Sequence, residues 1–316
     1  MALTFLAIFA GLFILIIGGN LLVKGASKIA LRFSISPLVI GVTIVAFGTS
    51  APELLISIKS ALAGSPDLAM GNVVGSNICN LGLVLGLMAV IYPVNVHKDS
   101  IKIDWPMTMG SSLLLYFLVQ EGVVSSYEGI FFLVILIVYT FFIIRRSRKV
   151  NFAKALEDQL PEVEDKAPST ILIDLILILM GCVGLYYGAD WFVGGAQQLA
   201  LLLGVNERVI GITVLAIGTS LPELVTAVVA AYKRQTDIAI GNLMGSNIFN
   251  ILSILGITSI IKEIAVNEMI IQVDIVWMLG FTLIIFPFML YKRKIGRIEG
   301  LFLLAAYGYY TYTVIT

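Results

Sequence analysis

The chain is poor in the residues that soft metals and redox chemistry require. It has a single histidine, His97, and two cysteines, Cys79 and Cys182. His97 lies in a polar connection and both cysteines lie in apolar runs. That pattern speaks against imidazole or thiolate metal sites and against a disulfide, and reads as two buried structural thiols. Charge is scarce as well. Charged residues make up 13% of the chain and cancel to a net charge of +0, so no basic field exists for nucleic acid. The sequence has no phosphate-binding P-loop, no H-E-x-x-H and no G-x-G-D, which leaves ATP-driven transport and intramembrane proteolysis without a motif. The apolar opening, residues 1–19, lacks the basic start of a signal peptide.

What abounds is apolar. Hydrophobic residues make up 59% of the chain, and the mean hydropathy is +1.00. A soluble domain of 316 residues does not look like this, and we read a polytopic, all-α membrane protein. Apolar windows of spanning length predict ten helices, near 3–23, 37–62, 67–91, 105–120, 128–144, 171–191, 208–231, 237–260, 269–290 and 298–315.

The chain also contains itself twice. A-F-G-T-S-A-P-E-L at 46–54 returns as A-I-G-T-S-L-P-E-L at 216–224. G-N-V-V-G-S-N-I-C-N at 71–80 returns as G-N-L-M-G-S-N-I-F-N at 241–250, the same 170 residues on. G-G-N-L-L-V-K-G-A at 18–26 matches G-A-D-W-F-V-G-G-A at 188–196, so the opening segment repeats an internal helix and is read as a first span. Glu128-Gly129 and Glu299-Gly300 open spans five and ten. Five spans per copy is an odd number, so the second copy must start on the opposite side of the membrane. The expected plan is two inverted five-helix repeats, 1–144 and 171–316, joined by a linker over 145–170. The linker, basic and then acidic (Glu157, Asp158, Glu162, Glu164, Asp165), reads as a solvated cytoplasmic connection. With the N-terminus outside, every Lys and Arg except Lys59, Arg208 and Lys262 falls on the inner face. The positive-inside rule therefore predicts both termini extracellular.

The repeated motif carries chemistry. Pro52 and Pro222 lack an N–H and must break spans two and seven near Gly48 and Gly218, freeing carbonyls that need partners in lipid. Glu53 and Glu223 follow directly, well inside their spans. An ionisable residue at that depth marks a functional site. Ser76 and Asn80 share one helix face of span three, and Ser246 and Asn250 share one face of span eight. Asn72, Asn77, Asn242 and Asn247 add amides that bond across helices or fix the broken backbone. Any one of these Ser or Asn residues reads equally as helix glue. Two carboxylates meeting at midplane need protons or cations, and together they match the charge of one Ca²⁺. Carboxylate, hydroxyl, amide and carbonyl oxygens suit Ca²⁺ and Na⁺. Elsewhere, Asp67, Asp237, Asp104, Asp274, Glu128 and Glu299 read as helix caps or dipole partners, and Tyr307 to Tyr312 as interfacial anchors. Asn20 and Asp190, at matching positions in spans one and six, read either as lining an access path or as helix-end contacts.

The duplicated G-T-S-x-P-E and G-N-x-x-G-S-N-I motifs resemble the two α-repeats of the cation/calcium antiporter superfamily, sodium/calcium exchanger branch, in its prokaryotic members. The resemblance covers essentially the whole chain. It implies that Glu53 and Glu223 bind Ca²⁺, helped by backbone carbonyls of Thr49 and Thr219. It implies Na⁺ ligands from Ser50, Ser220, Ser76 and Ser246, from backbone oxygens of Ala46 and Ala216, and from the shared Glu53 and Glu223. Asn80 and Asn250 would flank the central site, and spans one and six would slide across it. Potassium-dependent relatives carry Asp where this chain has Asn250, which argues against K⁺ co-transport. The function expected is Na⁺/Ca²⁺ antiport by alternating access, without cofactor or enzymatic step. Its substrates are Ca²⁺ and Na⁺, and its surroundings the lipid bilayer. The alternative is Ca²⁺/H⁺ antiport.

Overall fold

The computed structural model describes residues 2–149, 170–203 and 216–315. Most of the predicted linker, Arg208 and the start of span seven lie outside the described residues. The first half runs α1 (Ala2–Arg32), α2 (Pro37–Thr49), α3 (Ala51–Leu62), α4 (Pro66–Ile91), α5 (100–118) and α6 (Ser126–Lys149). The second runs α7 (Ile171–Leu202), α8 (Ala216–Thr219), α9 (Leu221–Tyr232), α10 (Thr236–Ile261), α11 (Ile270–Leu290) and α12 (Arg297–Ile315). Many are long and apolar enough to cross a bilayer, and α2 and α3 form one span bent by 45°.

Burial separates centre from rim. In α4 and α10, 72% and 78% of the most apolar stretch is buried, against 33%, 28% and 22% in α1, α6 and α7. Phe9, Phe13, Ile137, Val138 and Leu172 are left exposed on the rim helices, as lipid-facing side chains would be. The middle of the fold is thus the α4/α10 pair, where the motif amides sit. Asn77 donates to the Asn247 backbone carbonyl at 3.3 Å, and Asn250 donates to the Asn77 side chain at 3.0 Å.

On the rim, α1 and α7 run antiparallel at backbone contact. Gly11, Gly18 and Gly25 recur every seven residues in α1, as Gly181, Gly188 and Gly195 do in α7. A Cβ on Gly18 would lie 2.7 Å from the Leu185 nitrogen, one on Gly25 2.9 Å from the Asp174 carbonyl, and one on Gly188 2.7 Å from the Leu15 nitrogen. Only glycine permits this approach. The two ends are also tied. Arg32 Nη2 meets Asp174 Oδ2 at 2.8 Å, and Thr4 donates to Gln198 at 3.3 Å.

Four two-residue strands link the halves. β1 (Val94–Asn95) pairs antiparallel with β4 (Lys294–Ile295), and β2 (Val123–Val124) with β3 (Ile264–Ala265). β1 and β3 occupy matching places in the two repeats, as do β2 and β4, so the two sheets are one pairing seen from either half.

Several local readings change. Glu128 is a capping residue as expected: its Oε2 accepts the Ser125 N–H at 2.6 Å, and Ser125 Oγ accepts the Glu128 N–H at 3.4 Å. Asp67 and Asp237 are not N-caps, because Ser65 and Gln235 hold those positions. Asp67 instead accepts the Asn267 N–H at 3.2 Å. Asp104 and Asp274 end π-helical turns and take hydroxyl hydrogen bonds from Tyr139 and Tyr310, each at 3.0 Å. Tyr310 therefore belongs to a helix contact, while Tyr309 and Tyr312 stay exposed as anchors would be.

Candidate functional site

The site begins with two backbone breaks of the same shape. Ser50, between α2 and α3, has φ −85° and ψ 4°; Ser220, between α8 and α9, has φ −87° and ψ 7°. The break falls at the serine, two residues beyond the glycine where sequence placed it. Pro52 and Pro222 each sit in the first turn of the following helix, where a missing N–H costs least. The carbonyls of Gly48 and Gly218 thereby lose the donor four residues on. Glu53 and Glu223 also lie in those first turns, at the positive end of each half-helix.

The neighbouring helices meet these breaks with polar groups. Asn72 of α4 donates to the Glu53 backbone carbonyl at 3.1 Å and to Ser57 at 3.0 Å, clamping α3. Thr49 donates to Asn242 at 3.1 Å and to the Ala46 carbonyl at 3.3 Å, and lies 3.4 Å from the Ser246 hydroxyl. Ser76 and Thr219 hydroxyls are 3.5 Å apart. Ala216 opens α8.

The carboxylates are buried and unequal. Both Glu53 and Glu223 have 0% exposure. Glu223 Oε1 accepts hydrogen bonds from Ser50 at 3.1 Å and Ser246 at 3.4 Å. Because Ser50 belongs to the first break and Glu223 follows the second, the two motifs face each other. Neither oxygen of Glu53 has a partner among the described residues, nor does Glu223 Oε2, Ser220 Oγ, Asn80 Oδ1 or Asn250 Oδ1. These are six buried oxygens, and leaving such atoms unmet away from water costs several kcal/mol each, about 2–7 by transfer measurements. The structure thus brings Glu53, Glu223, Thr49, Ser50, Ser220, Ser246, Asn80 and Asn250 into one buried neighbourhood. Ser76 and Thr219 stand at its edge, and Ala46 supplies a carbonyl beside it.

Two features escaped the sequence. Asn80 and Asn250 each open a π-helical turn (Asn80–Val84 and Asn250–Leu255), which widens the helix at the site. A cavity of about 310 Å³ runs between α3 and α7, lined by Pro52, Lys59, Tyr186, Asp190, Gln197 and Thr219. Asp190 lines this cavity, whereas Asn20 bonds back to the Ile16 carbonyl. The matching positions of Asn20 and Asp190 were the one available signal. Among the described residues, no group of three or more His, Cys, Asp or Glu side chains is placed to hold a metal. A cation here would rely on two carboxylates and neutral oxygens. Cys79 and Cys182 are free thiols, buried and half-buried.

Comparison with known proteins gives the family. The profile of the sodium/calcium exchanger protein family matches residues 3–145 and 173–316. The sodium/calcium exchanger MaX1 of Methanosarcina acetivorans is 32% identical over 337 residues, covering 96% of each chain. The inner membrane protein YrbG of Escherichia coli is 33% identical over 290 residues, covering 90% of this chain and 87% of its own. A solved structure of the sodium-calcium exchanger NCX_Mj, soaked with zero Na⁺ and Ca²⁺, superposes with a TM-score of 0.84 at 32% identity and covers 99% of both chains. The chain is a multi-pass membrane protein of the sodium/calcium exchanger family.

Proposed function

We propose that the protein exchanges Na⁺ for Ca²⁺ by alternating access, with Glu53 and Glu223 as the shared cation ligands. The observation that carries this reading is the cluster of buried oxygens without donors around two carboxylates. Such a shell suits a hard cation and gains nothing from protons alone, which need no hydroxyl or amide ligands. Thr49 and Thr219 add backbone carbonyls for Ca²⁺. Ser50, Ser220, Ser76 and Ser246, with carbonyls of Ala46 and Ala216 and the amides Asn80 and Asn250, add the Na⁺ shell. One Ca²⁺, or Na⁺ ions in its place, offsets the two negative charges. Without cargo the carboxylates stay bare in low dielectric, and the conformational crossing is disfavoured. That difference couples the two fluxes. The α1/α7 pair, close-packed and tied at both ends, is the body that slides across the site.

The plan is ten spans in two inverted repeats, 1–144 and 171–316, with the linker 145–170 inside and both termini outside. The antiparallel course of α1 and α7 supports it. So do the sheets: β1 with β4, and β2 with β3, require those connections to share a side, as ten spans dictate. In intact cells, Lys59→Cys should react with an impermeant thiol reagent and Lys98→Cys should not. Labelling of both from one side would overturn the inverted plan.

The function is tested in proteoliposomes. An outward Na⁺ gradient should drive Ca²⁺ uptake, and a proton gradient without Na⁺ should not. Full uptake on a proton gradient alone would replace this reading by Ca²⁺/H⁺ antiport. Equilibration of Ca²⁺ without any counter-ion would point to a channel.

A further inference from the structure

A second buried acid lies away from the central site. Asp104, at the end of the π turn that opens α5, is 3% exposed. Its Oδ1 accepts the Tyr139 hydroxyl of α6 at 3.0 Å. Its Oδ2 is buried and has no partner among the described residues; the same is true of the hydroxyl of Ser100, one turn earlier. Burial disfavours its charge first of all, the Tyr139 and Ser100 hydroxyls favour it, and the charged groups that act on it repel it. Asp99, on the same segment, and Asp237, in the first turn of α10, both act on Asp104 as like charges. Arg146 of α6 is spent on Asp99 at 3.2 Å. Lys98 and Lys102, on Asp104's own segment, are exposed, and among the described residues no cation pairs with Asp104.

We propose that Asp104 is a proton-binding site, separate from Glu53 and Glu223, on the β1/β4 side of the protein. A proton on Oδ2 neutralises the acid among its like-charged neighbours Asp99 and Asp237. A metal cation does not fit. The place offers one carboxylate oxygen and one hydroxyl, where Ca²⁺ takes about 6–8 oxygen ligands.

The proton has a route of influence to the central site. Thr108 Oγ1 donates to the Asp104 carbonyl at 2.8 Å and lies 3.8 Å from Met244 Sδ on α10. Met244 stands two residues before Ser246, which donates to Glu223. Losing the proton also sets a charge on Asp104 against Asp237, at the start of the same α10. Proton occupancy of Asp104 therefore sets how α10 is seated, and through it the exchange rate. The site does not depend on which ions are exchanged; its effect on rate rests on the exchange reading above.

The test uses the full-length protein in lipid. Infrared titration of the wild type should show a protonated-carboxyl carbonyl band that Asp104→Asn lacks. Tyr139→Phe removes a hydrogen bond that favours the carboxylate, so the band should persist to higher pH. At saturating Na⁺ and Ca²⁺, the exchange rate of Asp104→Asn should lose one pH-dependent step that the wild type shows. A band and a pH profile both unchanged in Asp104→Asn would overturn the site. Should that variant not fold, a titration unmoved by Tyr139→Phe would do the same. A wild type that exchanges no ions yet shows the band would sink the functional reading and leave the proton site standing.

Discussion

Glu53→Gln and Glu223→Gln should each nearly abolish Ca²⁺ exchange while the protein still inserts and folds. Glutamine keeps the shape of the side chain and removes one negative charge. The site then offers −1 to a dehydrated +2 ion. Stripping one partner from a buried ion pair costs about 3–5 kcal/mol. At about 1.4 kcal/mol per factor of ten, apparent Ca²⁺ affinity should fall by roughly two to four orders of magnitude. Folding is spared because, among the described residues, neither Glu53 oxygen holds a hydrogen bond to lose, and in Glu223→Gln the amide oxygen can still accept from Ser50 and Ser246. Ser50→Ala and Ser220→Ala give the contrast. Each removes a neutral ligand and should mainly weaken activation by Na⁺. The measurements are Ca²⁺ flux against Ca²⁺ and Na⁺ concentration, with monodispersity in detergent as the folding control. Normal exchange by both Gln variants would mean that the glutamates are helix glue.

The second large effect is expected at a residue with no side chain. Gly18→Leu should stop exchange by forcing α1 and α7 apart. Even the first carbon of a new side chain would lie 2.7 Å from the Leu185 nitrogen and 2.9 Å from the Gly184 carbonyl carbon. Those atoms are backbone and cannot swing aside. Gly18→Ala should show the same fault in milder form, since overpacking costs about 1–3 kcal/mol. Ile17→Leu, one position along on an exposed face, should be neutral. Flux and thermal stability in detergent separate the outcomes. A Gly18→Leu protein that is stable and exchanges at the normal rate would show that the close approach is dispensable.

Much of the centre was legible in the sequence because lipid makes polar residues conspicuous. Glu53 and Glu223 stand out in apolar runs, and the prolines beside them announce breaks. The amides of Asn72, Asn77, Asn242 and Asn247 read as bonding across helices or fixing the broken backbone, and all four make such bonds. Other features left no such trace. A π turn depends on how a helix is seated among its neighbours, so Asn80 and Asn250 gave no local sign of one. Asp104 and Tyr139 meet across two helices, and a cap was the nearest local explanation for the acid. Glu53 and Glu223 follow nearly identical motifs, yet among the described residues only Glu223 is held by hydroxyls. That difference lies in tertiary placement, which a repeated motif cannot encode.

The crossed strands have a consequence for how the chain is made. Val94 pairs with Ile295, so β1 leaves the ribosome about 200 residues before its partner does. Val123 likewise waits for Ala265. During synthesis the first half can insert its helices, but it cannot close its own connections. Its edges stay open through the assembly of half a protein, exposed to whatever else in the nascent membrane offers a strand. Completion comes in two steps: β3 reaches β2 first, and β1 waits until the last connection before α12 emerges. A chain cut short before residue 294 leaves β1 without its partner.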